Sequence, residues 1–233
     1  MGGRWKTVVV LASVGLGHAA RGDSRTPDVD LDEAHLVASV PVQAAHREDD
    51  ALFRHMLLVA LSDSLTMRQV LGDIASETDP ENAVTVVLGR DLPGVLIDSF
   101  SRNLLDLEDL ERLPSAHDPD PDKNAITREE QLVHVLAERR HSTKLAAKLR
   151  ETHRSLTREQ LFSVSHEVGL LQENNYRAER HQVAVIEATS HAVKDAPGDA
   201  VIEYTLADGT TCYMVTSHHG QIDRIVPLLP PGN

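Results

Sequence analysis

The chain has 233 residues and a formal net charge of −13, from 36 acidic and 23 basic side chains, with 3% aromatics and a single cysteine. That charge argues against phosphate backbones and anionic membrane surfaces, so no nucleic-acid partner is expected. The lone Cys212 cannot close an internal disulfide, and a core this poor in aromatics must be aliphatic.

The opening MGGRWKTVVVLASVGLGHAARGDS carries Arg4 and Lys6, then an apolar run from Thr7 to Gly17 and small residues ending at Ala19 and Ala20. This is the layout of a secretory signal peptide over 1–20, which places the mature protein in a secreted or periplasmic location. The apolar run is too short to cross a bilayer as a helix, so no membrane span is expected. Residues 21–48, rich in Asp, Pro, Ala and Ser without a sustained period, read as an extended lead-in.

From Asp49 the pattern becomes helical. Leu52, Met56, Val59 and Ala60 recur at helical spacing, and Leu65, Val70, Leu71 and Ile74 do so after a fresh start at Asp63 or Ser64. Two helices with a break near Ser62 follow. The β-favouring Val84, Val86, Val87 and Leu88 predict a strand over 83–88, and the punctuation of Gly89, Pro93 and Gly94 predicts another over 94–97. Leu104, Leu107, Leu110 and Leu113 at spacings of three predict helical turns closing at Pro114.

After the acidic stretch HDPDPDKN, helices are predicted over 128–150 and 158–173, because Thr127 with Glu130 and Thr157 with Gln160 fit the capping-box spacing. The tail is different. HQVAVIEA, VIEYTL, TTCYMVTS and IDRIVPLL are separated by turn signals and predict four strands within 179–233, with Pro227 confining the last to an edge. The expected fold is α+β, a mainly helical body over 49–178 with a small C-terminal antiparallel β-sheet packed on it.

Two segments could carry metal chemistry. With 127–141 wound at about 100° per residue, Glu130, Gln131, His134, Glu138 and His141 share an arc of about 100°, opposite Leu132, Val135 and Leu136. Side chains four apart project together and can chelate, yet a surface helix started by Thr127 has the same pattern. In DPDPDKNAITRE, Asp118, Asp120, Asp122, Asn124 and Glu129 stand at calcium-loop positions 1, 3, 5, 7 and 12. Lys123 replaces the required glycine and Pro119 and Pro121 oppose the winding, so an acidic connection is expected there rather than calcium.

The succession NAVTVVLG, NLLDLEDLERLP, TREEQLVHVLAER and SHEVGLLQENNYRAE resembles the order in bacterial effector and toxin metallopeptidases of the zincin type. In those proteins a helix bearing HExxH precedes a downstream His or acidic ligand and an EN-x-x-R-like segment. The resemblance implies zinc. It sets His134 at the second histidine and Glu130 at the first, with His166, or failing it Glu173, as the downstream ligand. Gln131 then stands where the catalytic glutamate belongs and cannot act as a general base, so Glu138 or Glu167 would have to serve. The implied activity is that of a weak or inactive hydrolase with an incomplete metal motif. The alternative is a non-catalytic exported binding or scaffold protein. Its C-terminal strands, similar to the last strands of cone-shaped α+β domains of the nuclear transport factor type, would then meet an unknown protein or peptide.

Overall fold

The computed structural model of the protein describes residues 32–93, 95–118, 125–192, 200–216 and 222–228, with side chains described over 32–93, 95–118, 125–186 and 203–211. The expected signal peptide, together with Asp120 and Asp122 of the acidic stretch, lies outside the described residues. The first elements are α1 (Glu33–Ala38), β1 (Val42–Gln43), α2 (Arg47–Leu61) and α3 (Leu65–Ala75). Part of the lead-in is therefore built into the body rather than extended. Asp32 caps α1 through the Ala34 N–H, and Leu36 and Val37 enter the core.

The break between α2 and α3 falls at 62–64, as the spacing predicts. Ser64 accepts from the Met67 N–H to open α3, and Asp63 takes a left-handed φ of 56°. The buried face of α2 is Phe53, Met56, Leu57, Ala60 and Leu61, and that of α3 is Met67, Val70, Leu71 and Ile74. These aliphatic stripes meet in one core, as a chain with three phenylalanines and one tryptophan requires.

A small mixed sheet follows, made of β1, β2 (Val86–Gly89), β4 (Leu104–Asp106) and β3 (Asp98–Ser99), in the order β1-β2-β4-β3. β1, β2 and β4 run parallel, while β3 is an antiparallel edge on β4. The strand expected over 94–97 is displaced to Asp98–Ser99, because Ile97 takes a φ of 57° and turns the chain first. Its N–H donates to Asp109 and its C=O accepts from the Asp106 N–H, so the turn is held at both polar groups. The leucine run splits for a related reason. Leu104 and Leu105 pair in β4, and Asp106 caps only a short α4 (Leu107–Arg112).

Helix α5 (Arg128–Glu151) is the largest departure from expectation. Where the sequence allowed a surface helix or one lining a cleft, it is buried on every side from Glu129 to Arg140. It packs against α2, α3, α4 and α6 (Arg158–Glu179), and Arg139 reaches the Leu104 carbonyl at 2.7 Å. Polar groups removed from water need partners inside, and several find them, although Gln131 Nε2 and Arg139 Nε and Nη1 do not. Glu129 accepts from the Ser115 hydroxyl (2.7 Å) and the Ala116 N–H (2.8 Å), and Arg140 reaches Glu77 (2.8 Å). Glu129 is therefore committed to tying down the preceding chain, which removes it from the calcium-loop pattern. Asp118 accepts from the Ser115 N–H.

α6 opens with the full capping box of Thr157 and Gln160 and continues to Glu179, beyond the expected end at Glu173. Four antiparallel strands follow, β5 (Val185–Ala192), β6 (Ala200–Leu206), β7 (Thr211–Thr216) and β8 (Ile222–Leu228), in sequence order. Pro227 sits on the edge strand β8, as expected, and Cys212 lies within β7. The sheet joins the body through Val185, Tyr204 and Leu206, which belong to the common core. No helix among the described residues is long and apolar enough to cross a membrane.

Candidate metal centre

α5 and α6 run side by side and bring together residues that lie far apart in sequence. His134 and Glu138, one turn apart on α5, project toward α6 and meet His166. Three donor atoms form a nearly equilateral triangle. His134 Nε2 is 3.3 Å from Glu138 Oε2 and 3.1 Å from His166 Nδ1, and that Nδ1 is 3.0 Å from the same Oε2. On the other side of the ring, His134 Nδ1 donates to Glu173 Oε2 at 2.7 Å.

With Glu138 ionised, no arrangement of protons pairs a donor with an acceptor on all three edges. If Nε2 of His134 and Nδ1 of His166 both donate to Glu138, two N–H groups face each other at 3.1 Å. If His166 Nδ1 is instead a lone pair, it faces the carboxylate oxygen at 3.0 Å. Either way one edge sets like against like, whereas a cation between the three atoms relieves every edge. The size also fits: donors about 2.1 Å from a common ion stand about 3.4 Å apart at tetrahedral angles and about 3.0 Å apart at right angles.

The electrostatics are those of two carboxylates against two imidazoles. Burial alone would discharge His134, but Glu138 and Glu173 outweigh it and push its pKa up to about 10. For Glu138 burial pulls upward, and the hydrogen bonds from His134 and His166 hold the carboxyl below its ordinary range. The two carboxylates carry the charge needed to neutralise a divalent ion held by two neutral imidazoles. Glu173 on Nδ1 fixes the tautomer that leaves Nε2 as a donor atom, the usual outer partner of a metal-binding histidine.

Glu130, expected as a ligand, does not join the three donors. Its carboxylate is bound through both oxygens to Arg177 Nη1, at 2.8 and 2.7 Å, with both side chains wholly buried. Burial raises the Glu130 pKa and the Arg177 guanidinium opposes that. Glu173 stands behind a ligand rather than in the triangle, and Glu138, expected as a base, stands in it. Glu167 is exposed, on the residue after His166, and is not one of the clustered groups. His141 pairs with Ser165 at 3.3 Å instead, and burial with the nearby Lys144 lowers its pKa.

The register of the motif thus moves by one turn. The pair four apart that could hold a metal is His134 and Glu138, within HVLAE, and the position after His134, where HExxH carries its base, holds the buried Val135.

Three contributors escape a reading of the sequence. Gly169 on α6 faces the His134 ring so closely that a Cβ there would stand 2.9 Å from Cδ2 and Nε2. Phe162 stacks on His166, with centroids 5.2 Å apart and planes at 25°, and Phe100 meets Phe162 edge-on at 5.3 Å. A glycine inside a predicted helix was the one available signal, since such a residue needs a packing reason.

No family model matches the chain, and no curated protein or solved structure is significantly similar to it.

Proposed function

We propose that the protein binds one divalent transition metal through His134 Nε2, Glu138 and His166 Nδ1, with Glu173 orienting His134. The observation that carries this reading is the triangle of donor atoms at 3.0–3.3 Å, one edge of which protons leave unpaired while Glu138 is ionised, backed by a carboxylate on the far ring nitrogen. Imidazole and carboxylate donors suit zinc, and the same set in a facial arrangement suits iron(II). The 3.3 Å edge is near the tetrahedral spacing and the 3.0 and 3.1 Å edges near the right-angle spacing, so zinc is favoured here on the outer carboxylate alone. The first twenty residues, with their charged start and small-residue end, support an exported protein.

Three protein ligands leave room for a further donor, and a divalent ion so placed supplies Lewis acidity to whatever oxygen reaches it. Among the described residues, none of the expected bases is placed to move a proton. Glu138 is a ligand, Glu173 is engaged with His134, Val135 has no titratable group, and Glu167 is exposed. The reading is therefore a metal-binding protein with weak or no hydrolase activity, on an arrangement like that of a metallopeptidase.

Titration of the metal-free full chain with zinc, and separately with iron(II) without oxygen, tests this. One zinc per chain is expected, with affinity lost in His134→Ala and His166→Ala and retained in Glu130→Gln. Failure of the wild-type chain to bind either ion, or equal binding in His134→Ala, would sink the proposal.

A further inference from the structure

The chain has three phenylalanines. Phe53 is wholly buried in the core, and the other two are at the metal centre. Phe162 lies against the ring of the ligand His166 yet keeps 41% of its surface exposed, and Phe100, partly buried, closes against its edge. Neither is needed to fill the aliphatic core, of which neither is a part. His166 is the most accessible of the three ligands, its side chain 35% exposed against 11% for His134 and 5% for Glu138. His166, the donor residue most open to solvent, is thus also the one that Phe162 touches.

Resting on the metal reading above, we propose that Phe162 and Phe100 select the ligand. It is a small acyl or peptide compound that presents an oxygen donor to the metal and lays an aromatic group against the exposed part of Phe162. The ring of such a ligand extends an aromatic row already formed by Phe100, Phe162 and His166, in the offset and edge-on contacts that aromatic groups prefer. A ligand with a methyl group in that place covers less of the exposed ring and loses its stacking. The site is then specific for an aromatic carbonyl compound, rather than for any metal-binding oxygen.

The test uses the full chain loaded with cobalt(II), whose visible absorption reports each step. Cobalt is added first, then acetohydroxamate or benzohydroxamate, which offer the same two oxygens and differ in methyl against phenyl. Benzohydroxamate is expected to bind about tenfold tighter. In Phe162→Ala, and to a lesser degree in Phe100→Ala, that preference should fall toward unity, measured on variant protein that shows the cobalt band. A wild-type chain without any cobalt band removes the metal reading and this inference together. A cobalt-loaded chain that binds both hydroxamates equally overturns this inference alone. So does a preference that survives in the cobalt-loaded Phe162→Ala chain.

Discussion

His134 is gripped at both ring nitrogens, and its charge state bears on stability and, on the proposed reading, on metal binding. Its pKa in the folded, metal-free chain is about 10 against an ordinary value of 6.5. A group whose pKa is raised on folding contributes its full stability below the unfolded value and loses it as pH rises through the folded one. The thermal midpoint of the metal-free protein should thus fall between about pH 7 and pH 10, and the fall should flatten in His134→Gln. Zinc competes with the proton on Nε2, so its affinity should rise over the same range. Calorimetry from pH 6 to 10 decides the first point; a midpoint that rises or holds constant contradicts it.

Glu130 separates structural from ligating carboxylates. Glu130→Gln removes the carboxylate that grips the wholly buried Arg177, and breaking a buried pair in this way costs about 3–5 kcal/mol. Urea unfolding should register that loss while zinc stoichiometry stays at one per chain. Helical spacing alone does not separate Glu130, expected as a ligand, from Glu138, expected as a base, since both lie four residues from His134 on one arc. Only the partners decide between them, and those lie 47 residues away for Glu130 and 28 residues away at His166 for Glu138.

At the scale of elements, the centre depends on how closely α5 and α6 approach, and Gly169 sets that approach. Alanine is favoured over glycine by about 1 kcal/mol inside a helix, so propensity alone predicts that Gly169→Ala stabilises. A Cβ 2.9 Å from the His134 ring predicts the opposite. Overpacking of this kind costs about 1–3 kcal/mol, and it should also weaken zinc binding by displacing Nε2. Parallel denaturation and zinc titration of Gly169→Ala give the sign; a more stable variant with unchanged affinity contradicts the packing account.

Much at this scale was legible. Ser64, Thr127 and Thr157 each cap the helix they were expected to start. The burial of α5 was not legible, because helical periodicity finds a single apolar stripe. A helix surrounded on all sides keeps its polar residues by pairing them with distant segments. The two-residue strands β1 and β3 were illegible for a simpler reason, being too short to show any period.

Across the whole molecule, the segment ENNYR links the centre to both the body and the C-terminal sheet. Glu173 holds His134, Tyr176 fills the core, Arg177 holds Glu130, and the Asn174 amide pairs with both the N–H and the C=O of Val185 at the start of β5. Asn174→Ala leaves two backbone groups without those partners. It should destabilise by about 2 kcal/mol, with faster amide exchange at Val185 as the local readout; unchanged exchange there contradicts the linkage. The sheet itself was legible because its strands alternate and are bounded by turn signals. The lead-in was not, since α1 spans only six residues and depends on the body for its burial.

The central claim is that three atoms on two helices hold one metal ion, and X-ray absorption of the zinc-loaded full chain tests it most directly. A first shell of nitrogen and oxygen at about 2.0–2.2 Å, with the outer-shell signature of two imidazoles, is the predicted result. A sulfur shell at about 2.3 Å, which would place the metal on Cys212, contradicts it, and so does a shell with one imidazole or none.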